Sequence, residues 1–263
     1  QAPHMGASLG IVGLPNVGKS TLFNALTRGA SAVAPYPFTT TAPHVGMAVV
    51  DDPWLTRLAT VVPHEQVTPT SVEFVDIAGL VHGAHRGEGL GNEFLSHVFR
   101  VDALLHLVRC FESADVPHVM GGLDPVRDIE IVNAELLLKD LEIVERRLEK
   151  ERKLAKGGEK RAQAFVERLE PLHKALAQGT AVRDLALAPE GRPRAIGLEL
   201  LTSKPVLYLA NVDEQSLGSP EAVRVRFGST LQRGGDLLLI CGKLEAELAE
   251  LDSSDRQAMM TEL

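Results

Sequence analysis

The stretch GLPNVGKS, residues 13–20, constrains this chain more than any other part of it. It fits the phosphate-loop pattern G-x-x-x-x-G-K-[ST], in which glycines let consecutive backbone N–H groups turn inward around phosphate oxygens. An apolar run, SLGIVG, precedes the loop and a helical pattern, STLFNAL, follows it, which is the context that the motif requires. The sequence therefore predicts a phosphate-binding loop between a strand and a helix N-terminus, whose positive field favours anions.

Residues of the loop and of the first helical turn are predicted to share the contacts to a nucleotide. Lys19 is expected to reach the β- and γ-phosphates and so to act in catalysis, and the hydroxyl of Ser20 is expected to ligate Mg²⁺. The remaining predicted contacts in this region come from Asn16, Val17, Gly18 and Thr21.

A second motif, EFVDIAGLV, supplies the other half of the predicted phosphate site. Asp76 ends a predicted strand, where its carboxylate can hold magnesium through water. Gly79 is expected to donate its N–H to the γ-phosphate. The segment APYPFTTTAP is the predicted first switch, with Thr40 contacting Mg²⁺ and the γ-phosphate. Thr39 and Thr41 stay open as alternatives, because the sequence does not fix the register.

Several short apolar runs are predicted to be buried strands. They are SLGIVG, VGMAVV, SVEFVD, ALLHLVR, PVLYLAN and DLLLIC, which begin at residues 8, 45, 71, 103, 205 and 236. Most of them are followed by a helical pattern, and this alternation predicts an α/β fold with a mostly parallel sheet, of the Ras-like P-loop type. No run approaches ~18 uninterrupted apolar residues, so no membrane span is expected.

A helical insertion is predicted between the fourth and fifth of these strands. Apolar residues there repeat with the 3-4-3-4 spacing of a coiled-coil seam. The two series are Ala134, Leu137, Leu141, Val144 and Leu148, and then Ala162, Phe165, Leu169, Leu172 and Leu176. KGGEK between them is typical of a turn, so we expect an antiparallel coiled-coil hairpin with Pro171 kinking its second helix. The nucleotide-binding domain is then discontinuous, at 5–125 and 201–263, with the insertion at 126–200.

The tip of the hairpin, residues 145–163, carries eight Lys and Arg against four Glu. One interpretation is a solvated helix end with ion pairs four residues apart. The other is a basic finger that contacts RNA or another acidic partner. The chain as a whole has a net charge of −8, which argues against general adhesion to nucleic acid. Any RNA contact is therefore expected to be local to such a patch.

The residues after the fifth predicted strand bear on which base is recognised. Guanine-specific P-loop proteins use N-K-x-D there, and the Asp accepts hydrogen bonds from guanine. Here the residues read NVDE: Asn211 is retained, Val212 replaces the Lys, and Glu214 stands at the Asp position. The extra methylene moves the carboxylate by about 1.5 Å, and a misplaced hydrogen bond typically costs ~1–3 kcal/mol. Adenine has no donor at N1 and does not need that pair of hydrogen bonds, so ATP becomes a candidate beside GTP.

These motifs together carry a family resemblance. The phosphate loop, PFTTT, VDIAGLVHGAHRGEGLGNEFL, the helical insertion and NVDE resemble the Obg-like ATPase family, also called YchF, over nearly the whole chain from Met5 to Leu263. The resemblance implies a translation-factor-class P-loop protein that prefers ATP and associates with the ribosome or its large subunit in the cytoplasm. Members of the family carry a further C-terminal TGS domain, which we expect to be absent from this chain.

The resemblance also assigns a residue to the hydrolytic step. Ras-like enzymes place a Gln directly after the D-x-x-G glycine to orient the attacking water, and Leu80 at that position predicts slow intrinsic hydrolysis. The family makes His118 a candidate to position the water, and His82 and His85 are weaker candidates. The alternatives are a partner that positions the water and, for each histidine, a surface-loop residue with no role in the reaction.

Two further assignments follow from related P-loop proteins. Some of them use an Asn at the position of Asn16 to hold K⁺, which supplies the charge of an arginine finger, so K⁺ is a candidate cofactor beside Mg²⁺. The alternative is that Asn16 only shapes the loop. The loop after the last core strand packs near the base in related proteins, so the backbone of Cys241 and Gly242 is a candidate for contact with the nucleotide, whereas the Cys241 side chain is expected to be structural.

The expected function is that of a Mg²⁺-dependent ATPase that works as a molecular switch through in-line attack of water on the γ-phosphate. One alternative is a GTPase of the Obg type, which the relative affinity for ATP and GTP would distinguish. The other is a nucleotide-gated binding module whose hydrolysis is incidental, in which case partner binding would not change when hydrolysis is blocked.

Overall fold

A six-stranded sheet organises the chain. A computed structural model describes residues 6–28, 44–77, 90–187, 192–193, 197–228 and 236–262. Within these ranges the strands are β1 (Ser8–Val12), β2 (His44–Val49), β3 (Ser71–Asp76), β4 (Ala103–Arg109), β5 (Val206–Asn211) and β6 (Asp236–Ile240). They form one sheet in the order β2-β3-β1-β4-β5-β6, in which β2 is antiparallel to β3 and every other pair is parallel. The predicted fold class, a mostly parallel α/β sheet, is confirmed.

Nine α-helices accompany the strands within the described ranges. They are α1 (Lys19–Arg28), α2 (Pro53–Val61), α3 (Leu90–Arg100), α4 (Pro125–Lys156), α5 (Lys160–Ala177), α6 (Glu214–Leu217), α7 (Pro220–Phe227), α8 (Gly242–Glu250) and α9 (Ser253–Glu262). None of them combines the length and the apolar composition that crossing a membrane requires.

The central strand β4 is buried on both faces. Leu105 and Leu107 pack into one hydrophobic cluster, while Val108 and the adjoining Cys110 pack into another together with Ile129 of α4. A strand covered on both faces reads as a continuous apolar run rather than an alternating one, which is why the sequence of β4 was recognisable. The carboxyl ends of the parallel strands consequently meet at one edge of a rigid sheet.

Helices α4 and α5 form the predicted hairpin, with a seam that starts later than predicted. Val144 and Leu148 of α4 are buried in one cluster with three residues of α5, namely Leu169, Leu172 and Leu176. Ala134, predicted to begin the seam, is exposed. The prediction was wrong there because the first turns of α4 pack on the sheet through a different face, with Val132 and Leu136 buried in the sheet core.

A buried carboxylate ties α4 to the sheet. Asp140 is fully buried and accepts hydrogen bonds from the backbone N–H groups of Leu201 and Thr202, both at 2.7 Å, and from the Thr202 hydroxyl at 2.6 Å. These residues belong to a short 3-10 helix, Leu201–Ser203, that leads into β5. Burial raises the pKa of the Asp140 carboxyl, and its hydrogen bonds oppose that rise. The base of the hairpin is therefore anchored by polar contacts as well as by packing.

Helix α2 was not predicted from the sequence and lies apart from the core. Asp52 caps its start by accepting a hydrogen bond from the backbone N–H of Trp54 at 2.9 Å, and Pro53 occupies its first turn. None of its residues is buried, and Trp54, Leu58 and Val61 form an exposed apolar series.

Candidate nucleotide-binding site

The loop between β1 and α1 has the backbone conformation of a phosphate loop and is wedged against its neighbours. Gly13 and Gly18 have φ of 151° and 100°, and Asn16, with φ of 64°, is the single non-glycine residue with positive φ in the described ranges. A Cβ at Gly13 would strike the carbonyl of Leu107, and one at Gly18 would lie 2.5 Å from Nδ2 of Asn211. Both glycines are thus required by conformation and by the close approach of β4 and β5.

Lys19 places a buried ammonium group over this loop. Its side chain Nζ donates hydrogen bonds to the carbonyl oxygens of Gly13 at 3.2 Å and Leu14 at 2.9 Å, and the residue is 8% exposed. Burial lowers the pKa of Lys19 from 10.5 to about 8, and the carboxylate of Asp76 opposes this shift. A desolvated cation beside inward-turned backbone N–H groups favours a polyanion such as a triphosphate.

The predicted magnesium ligands from two elements lie together. The Ser20 hydroxyl at the start of α1 donates a hydrogen bond to Oδ2 of Asp76 at the end of β3, at 2.9 Å. A hydroxyl that can ligate Mg²⁺ directly lies here beside a carboxylate that can hold the ion through water, so these residues fit Mg²⁺ when phosphates and water provide its other ligands. No group of three His, Cys, Asp or Glu side chains suited to a metal occurs within the described part of the chain. Thr21, also predicted to contact nucleotide, is exposed on α1.

Several predicted site residues fall outside the described ranges. They are Thr40 with its alternatives Thr39 and Thr41, then Gly79, Leu80, His82 and His85. Their roles stay predictions from the sequence.

Asn211 links the phosphate loop to the loop after β6. Its Nδ2 donates to the carbonyl of Val17, and its Oδ1 accepts from the backbone N–H of Gly242, both at 2.9 Å. Asn211 is buried, as are Val17 and Cys241, and Gly242 approaches it so closely that a Cβ there would lie 3.2 Å from Oδ1. The amide of Asn211 therefore holds together the two loops predicted to enclose the nucleotide.

The rest of the NVDE sequence offers neither a lysine nor an unengaged aspartate. Val212 is 2% exposed and donates its backbone N–H to the carbonyl of Ile240 at 2.8 Å. Asp213 caps α6 by accepting from the backbone N–H of Ser216 at 2.9 Å, and these hydrogen bonds lower the pKa of Asp213. Glu214 is the first residue of α6, and its side chain is exposed.

His118 lies in the segment between β4 and α4, and the structure places its ring against the first turn of α4. Its Nε2 is 2.7 Å from Oδ2 of Asp128, and its Nδ1 accepts a hydrogen bond from the backbone N–H of Met120 at 3.1 Å. The side chains of His118 and Asp128 are 8% and 3% exposed. The preceding residue contacts the phosphate loop, because Nδ2 of Asn16 donates to the carbonyl of Pro117 at 3.2 Å.

Sequence reasoning missed Arg109, which fixes the path of the segment that carries His118. Arg109 ends β4, is 3% exposed, and donates from Nε to the carbonyl of Phe111 at 3.1 Å and from Nη2 to that of Val116 at 2.7 Å. Its guanidinium also lies 4.5 Å from the centroid of the Phe111 ring. No local pattern reveals these contacts, since they depend on how the segment folds back over the strand end.

Asp128 was also missed, although a local signal for it exists. The sequence DPVRD has an Asp followed by Pro, which is typical of a helix N-cap and first turn. The structure confirms this reading, because Asp124 accepts from the backbone N–H of Arg127 at 3.0 Å. The signal places Asp128 in the first turn of a helix, ten residues after His118.

At the hairpin tip, about half of the cations are already paired. Ion pairs join Arg146 to Glu142, Arg147 to Glu151, Arg152 to Glu170 and Lys153 to Glu149. Within the described residues, Lys150, Lys156, Lys160 and Arg161 form no such pair. The interpretation as a solvated helix end with pairs four residues apart therefore holds for part of the tip, and four cations stay unengaged.

A family model and several curated proteins match this chain. Residues 8–148 match the family model described as "50S ribosome-binding GTPase". The chain is 45% identical over 260 residues to the ribosome-binding ATPase YchF of Haemophilus ducreyi, covering 98% of this chain and 71% of that protein. It is 44% identical over 262 residues to the protein of the same name from Bacillus subtilis, covering 98% and 72%.

A solved structure agrees with these sequence matches. The YchF GTPase of Schizosaccharomyces pombe is 32% identical, superposes with a TM-score of 0.80, and is matched over 99% of this chain and 72% of that one. A GTP-binding protein from Pyrococcus horikoshii, at 21% identity and a TM-score of 0.55, shares the fold.

Proposed function

The chain belongs to the YchF family of P-loop proteins, and from this premise we propose that it is an ATP-binding, slowly ATP-hydrolysing switch that acts on the ribosome. The observation that carries the proposal is the arrangement of Lys19 with the hydrogen-bonded pair of Ser20 and Asp76 at the carboxyl edge of the sheet. Its relatives are named ribosome-binding ATPases, which supports both the reaction and the partner. Because a protein that acts on ribosomes works where they are, we propose a cytoplasmic location.

The reaction that this site supports is in-line attack of water on the γ-phosphate. Lys19 and the backbone N–H groups of the loop would stabilise the charge that develops on the phosphate oxygens. Ser20, Asp76 and Thr40 would hold Mg²⁺, which when bound neutralises charge on the β- and γ-phosphates. Burial lowers the pKa of Lys19 in the free protein, and a bound phosphate would raise that pKa again because it stabilises the charged ammonium.

The preference for ATP is the part of the proposal that names do not decide, because relatives are called both ATPase and GTPase. Three features of NVDE support ATP. Val212 replaces the lysine, and Asp213 is engaged in capping α6. Glu214 is exposed at the start of α6 and is one methylene longer than the carboxylate that guanine requires.

Titration of the protein with ATP and with GTP in the presence of Mg²⁺ tests this preference. A tenfold tighter binding of ATP corresponds to about 1.4 kcal/mol and is the expected result. The double variant Val212→Lys with Glu214→Asp rebuilds N-K-x-D and should move the preference towards GTP. Glu221→Asp, on α7, makes the same change in an exposed residue of another helix and should leave the preference as it is. Tighter binding of GTP by the unaltered protein would make it a GTPase of the Obg type.

Slow hydrolysis is expected because Leu80 replaces the Gln that orients water in Ras-like enzymes, and we propose His118 for that task. His118→Ala should lower the partner-stimulated turnover number while nucleotide affinity stays the same. Equal turnover of the variant and the unaltered protein would remove His118 from the reaction and favour a binding module whose hydrolysis is incidental. That alternative predicts that affinity for the partner depends on which nucleotide is bound and does not change when hydrolysis is blocked.

We further propose K⁺ as a second cofactor, held by Asn16. Its amide nitrogen donates to Pro117, which leaves the amide oxygen as the atom able to ligate a cation. Turnover measured in KCl and in NaCl at equal ionic strength should be faster in KCl. Identical rates in the two salts would exclude the role.

For the ribosome, we propose that the unengaged cations of the hairpin tip contact RNA phosphates. Replacing Lys156 and Lys160 by Glu should weaken binding and reduce its salt dependence, because each phosphate contact adds to the slope against log[salt]. Replacing Arg146 and Lys153 by Glu makes the same charge change on cations already paired to Glu, and should have a smaller effect. Unchanged ribosome binding in the first variant would refute the contact.

A further inference from the structure

In this conformation, neither ring nitrogen of His118 can act on water. The backbone N–H of Met120 is necessarily a donor, so Nδ1 of His118 must be the acceptor of their 3.1 Å hydrogen bond. In the neutral ring the proton is therefore on Nε2, which donates it to Oδ2 of Asp128 at 2.7 Å. A ring with its acceptor nitrogen occupied and its donor nitrogen bound to a carboxylate neither accepts a proton nor orients a nucleophile.

Asp128 is itself held in place. Its second oxygen, Oδ1, accepts from Nε and Nη2 of Arg127 at 3.2 and 2.9 Å, and the residue is 2% exposed. Nη2 of Arg127 also donates to the carbonyl of Gly122 at 2.7 Å, so the same guanidinium binds both Asp128 and the segment that carries His118. A buried, charge-assisted contact of this kind is among the stronger hydrogen bonds in proteins. His118 is therefore held on α4 by hydrogen bonds and not only by packing.

The residue that precedes His118 is hydrogen-bonded to the phosphate loop. Asn16, in the left-handed conformation at φ of 64°, donates to the carbonyl of Pro117, which precedes His118. Any change at Asn16 on phosphate binding would therefore act on the backbone next to His118 through this hydrogen bond. The segment is held at one end by the nucleotide site and at the other by the first turn of the hairpin helix.

We propose that Asp128 is a positioning residue that stores His118 in an idle orientation, and that breaking their hydrogen bond frees His118 for hydrolysis. The inference rests on the proposed role of His118 in positioning the attacking water. It adds Asp128 as the residue that restrains His118, and this restraint is a second reason, beside Leu80, to expect slow hydrolysis by the protein alone.

Steady-state ATP hydrolysis by a small set of variants tests the inference. Asp128→Ala should raise kcat about tenfold or more with KM for ATP unchanged, because the substitution frees a residue and does not touch the nucleotide. The same substitution in a His118→Ala background should have no effect on kcat. Asp124→Ala is the matched control: it removes the aspartate that caps the same helix and does not contact His118, and it should leave kcat within twofold.

A second substitution guards against a folding defect. Asp128→Asn keeps the shape of the side chain and an oxygen that accepts from Nε2, but loses the charge, so kcat should lie between the unaltered protein and Asp128→Ala. Urea unfolding of each variant verifies that it is folded under the assay conditions.

The failures are distinguishable. If His118→Ala lowers turnover but Asp128→Ala does not raise it, the role of His118 stands and the inference about Asp128 is overturned. A fall in kcat on Asp128→Ala would overturn it as well, since Asp128 would then orient His118 for catalysis. If no His118 variant changes turnover in either background, the proposed role of His118 fails and the inference falls with it. A rise in kcat that persists without His118 would show that Asp128 acts through another group.

Discussion

The buried charge of Lys19 should make the nucleotide-free protein less stable than a neutral residue there would. Burial lowers the pKa of Lys19 from 10.5 to about 8, against the pull of the Asp76 carboxylate. At about 1.4 kcal/mol for each pKa unit, the charged ammonium costs roughly 3 kcal/mol of folding free energy at neutral pH. Because the pKa is lower in the folded protein, this cost is complete below pH 8 and disappears as the pH rises to 10.5.

Lys19→Met is the substitution that exposes this cost. Methionine keeps most of the length and the apolar stem of lysine but removes the charge. The carbonyls of Gly13 and Leu14 lose their donor, which offsets about 1–2 kcal/mol of the gain. We therefore expect net stabilisation of about 1–2 kcal/mol, and for a chain of this size a rise in Tm of about 2–8 °C.

Urea unfolding of the nucleotide-free protein measures the effect. Lys243→Met is the control, because that side chain is 78% exposed and its replacement should change stability by no more than about 0.5 kcal/mol. Excess ATP should reverse the order, stabilising the unaltered protein and leaving Lys19→Met as it was. A Lys19→Met protein that unfolds at lower urea than the unaltered one, with the control unchanged, would refute the account of Lys19 as a desolvated charge.

Three further perturbations have definite expected outcomes. Affinity for ATP should fall as the pH rises through about 8, because Lys19 then loses the proton that makes it attractive to phosphate. Lys19→Arg should abolish this fall, because a guanidinium stays protonated. Titration with a fluorescent ATP analogue across this pH range checks both expectations. Asn211→Ala should cost about 2–4 kcal/mol in urea unfolding and weaken ATP binding, since it leaves two buried backbone groups unpaired. Asp140→Ala should cost about 3 kcal/mol or more while ATP affinity stays unchanged, because its three hydrogen bonds lie at the base of the hairpin and not at the nucleotide. A loss of ATP affinity equal to that of Asn211→Ala would contradict this separation of the two sites.

The fold was predictable where the signal for an element lies within the sequence of that element. The six predicted strands agree with the observed ones to within one residue at each end, because each is a short, mainly apolar run between turn signals. The loop before Lys19 was predictable for a similar reason, since its glycines answer local conformational demands. The prediction that the coiled-coil seam begins at Ala134 was wrong, because α4 packs on the sheet through one face and on α5 through another. The spacing of apolar residues alone does not show where one partner gives way to the other.

Contacts between segments that are distant in the chain could not be predicted from the sequence. Asn211 was expected at the base, and its link between Val17 and Gly242 depends on β1, β5 and β6 ending at the same edge. The hold of Asp128 on His118 likewise requires the path of the intervening segment, which Arg109 sets from the end of β4. Helix α2 was missed because its apolar residues do not pack on the core, although Asp52 and Pro53 give a recognisable start signal.

The continuity of α4 makes the hairpin a molecular ruler. One uninterrupted helix runs from the turn that holds His118, past the anchor at Asp140, to Lys156 at the tip. At 1.5 Å per residue the tip stands about 24 Å beyond Asp140, and that distance is set by residue count alone. Removing one residue would shorten the reach by about 1.5 Å and also turn the tip by about 100°, whereas removing seven from each helix would keep the same face forward and shorten it by about 10 Å. The spacing between the nucleotide edge and whatever the tip contacts is therefore expected to change only in whole heptads.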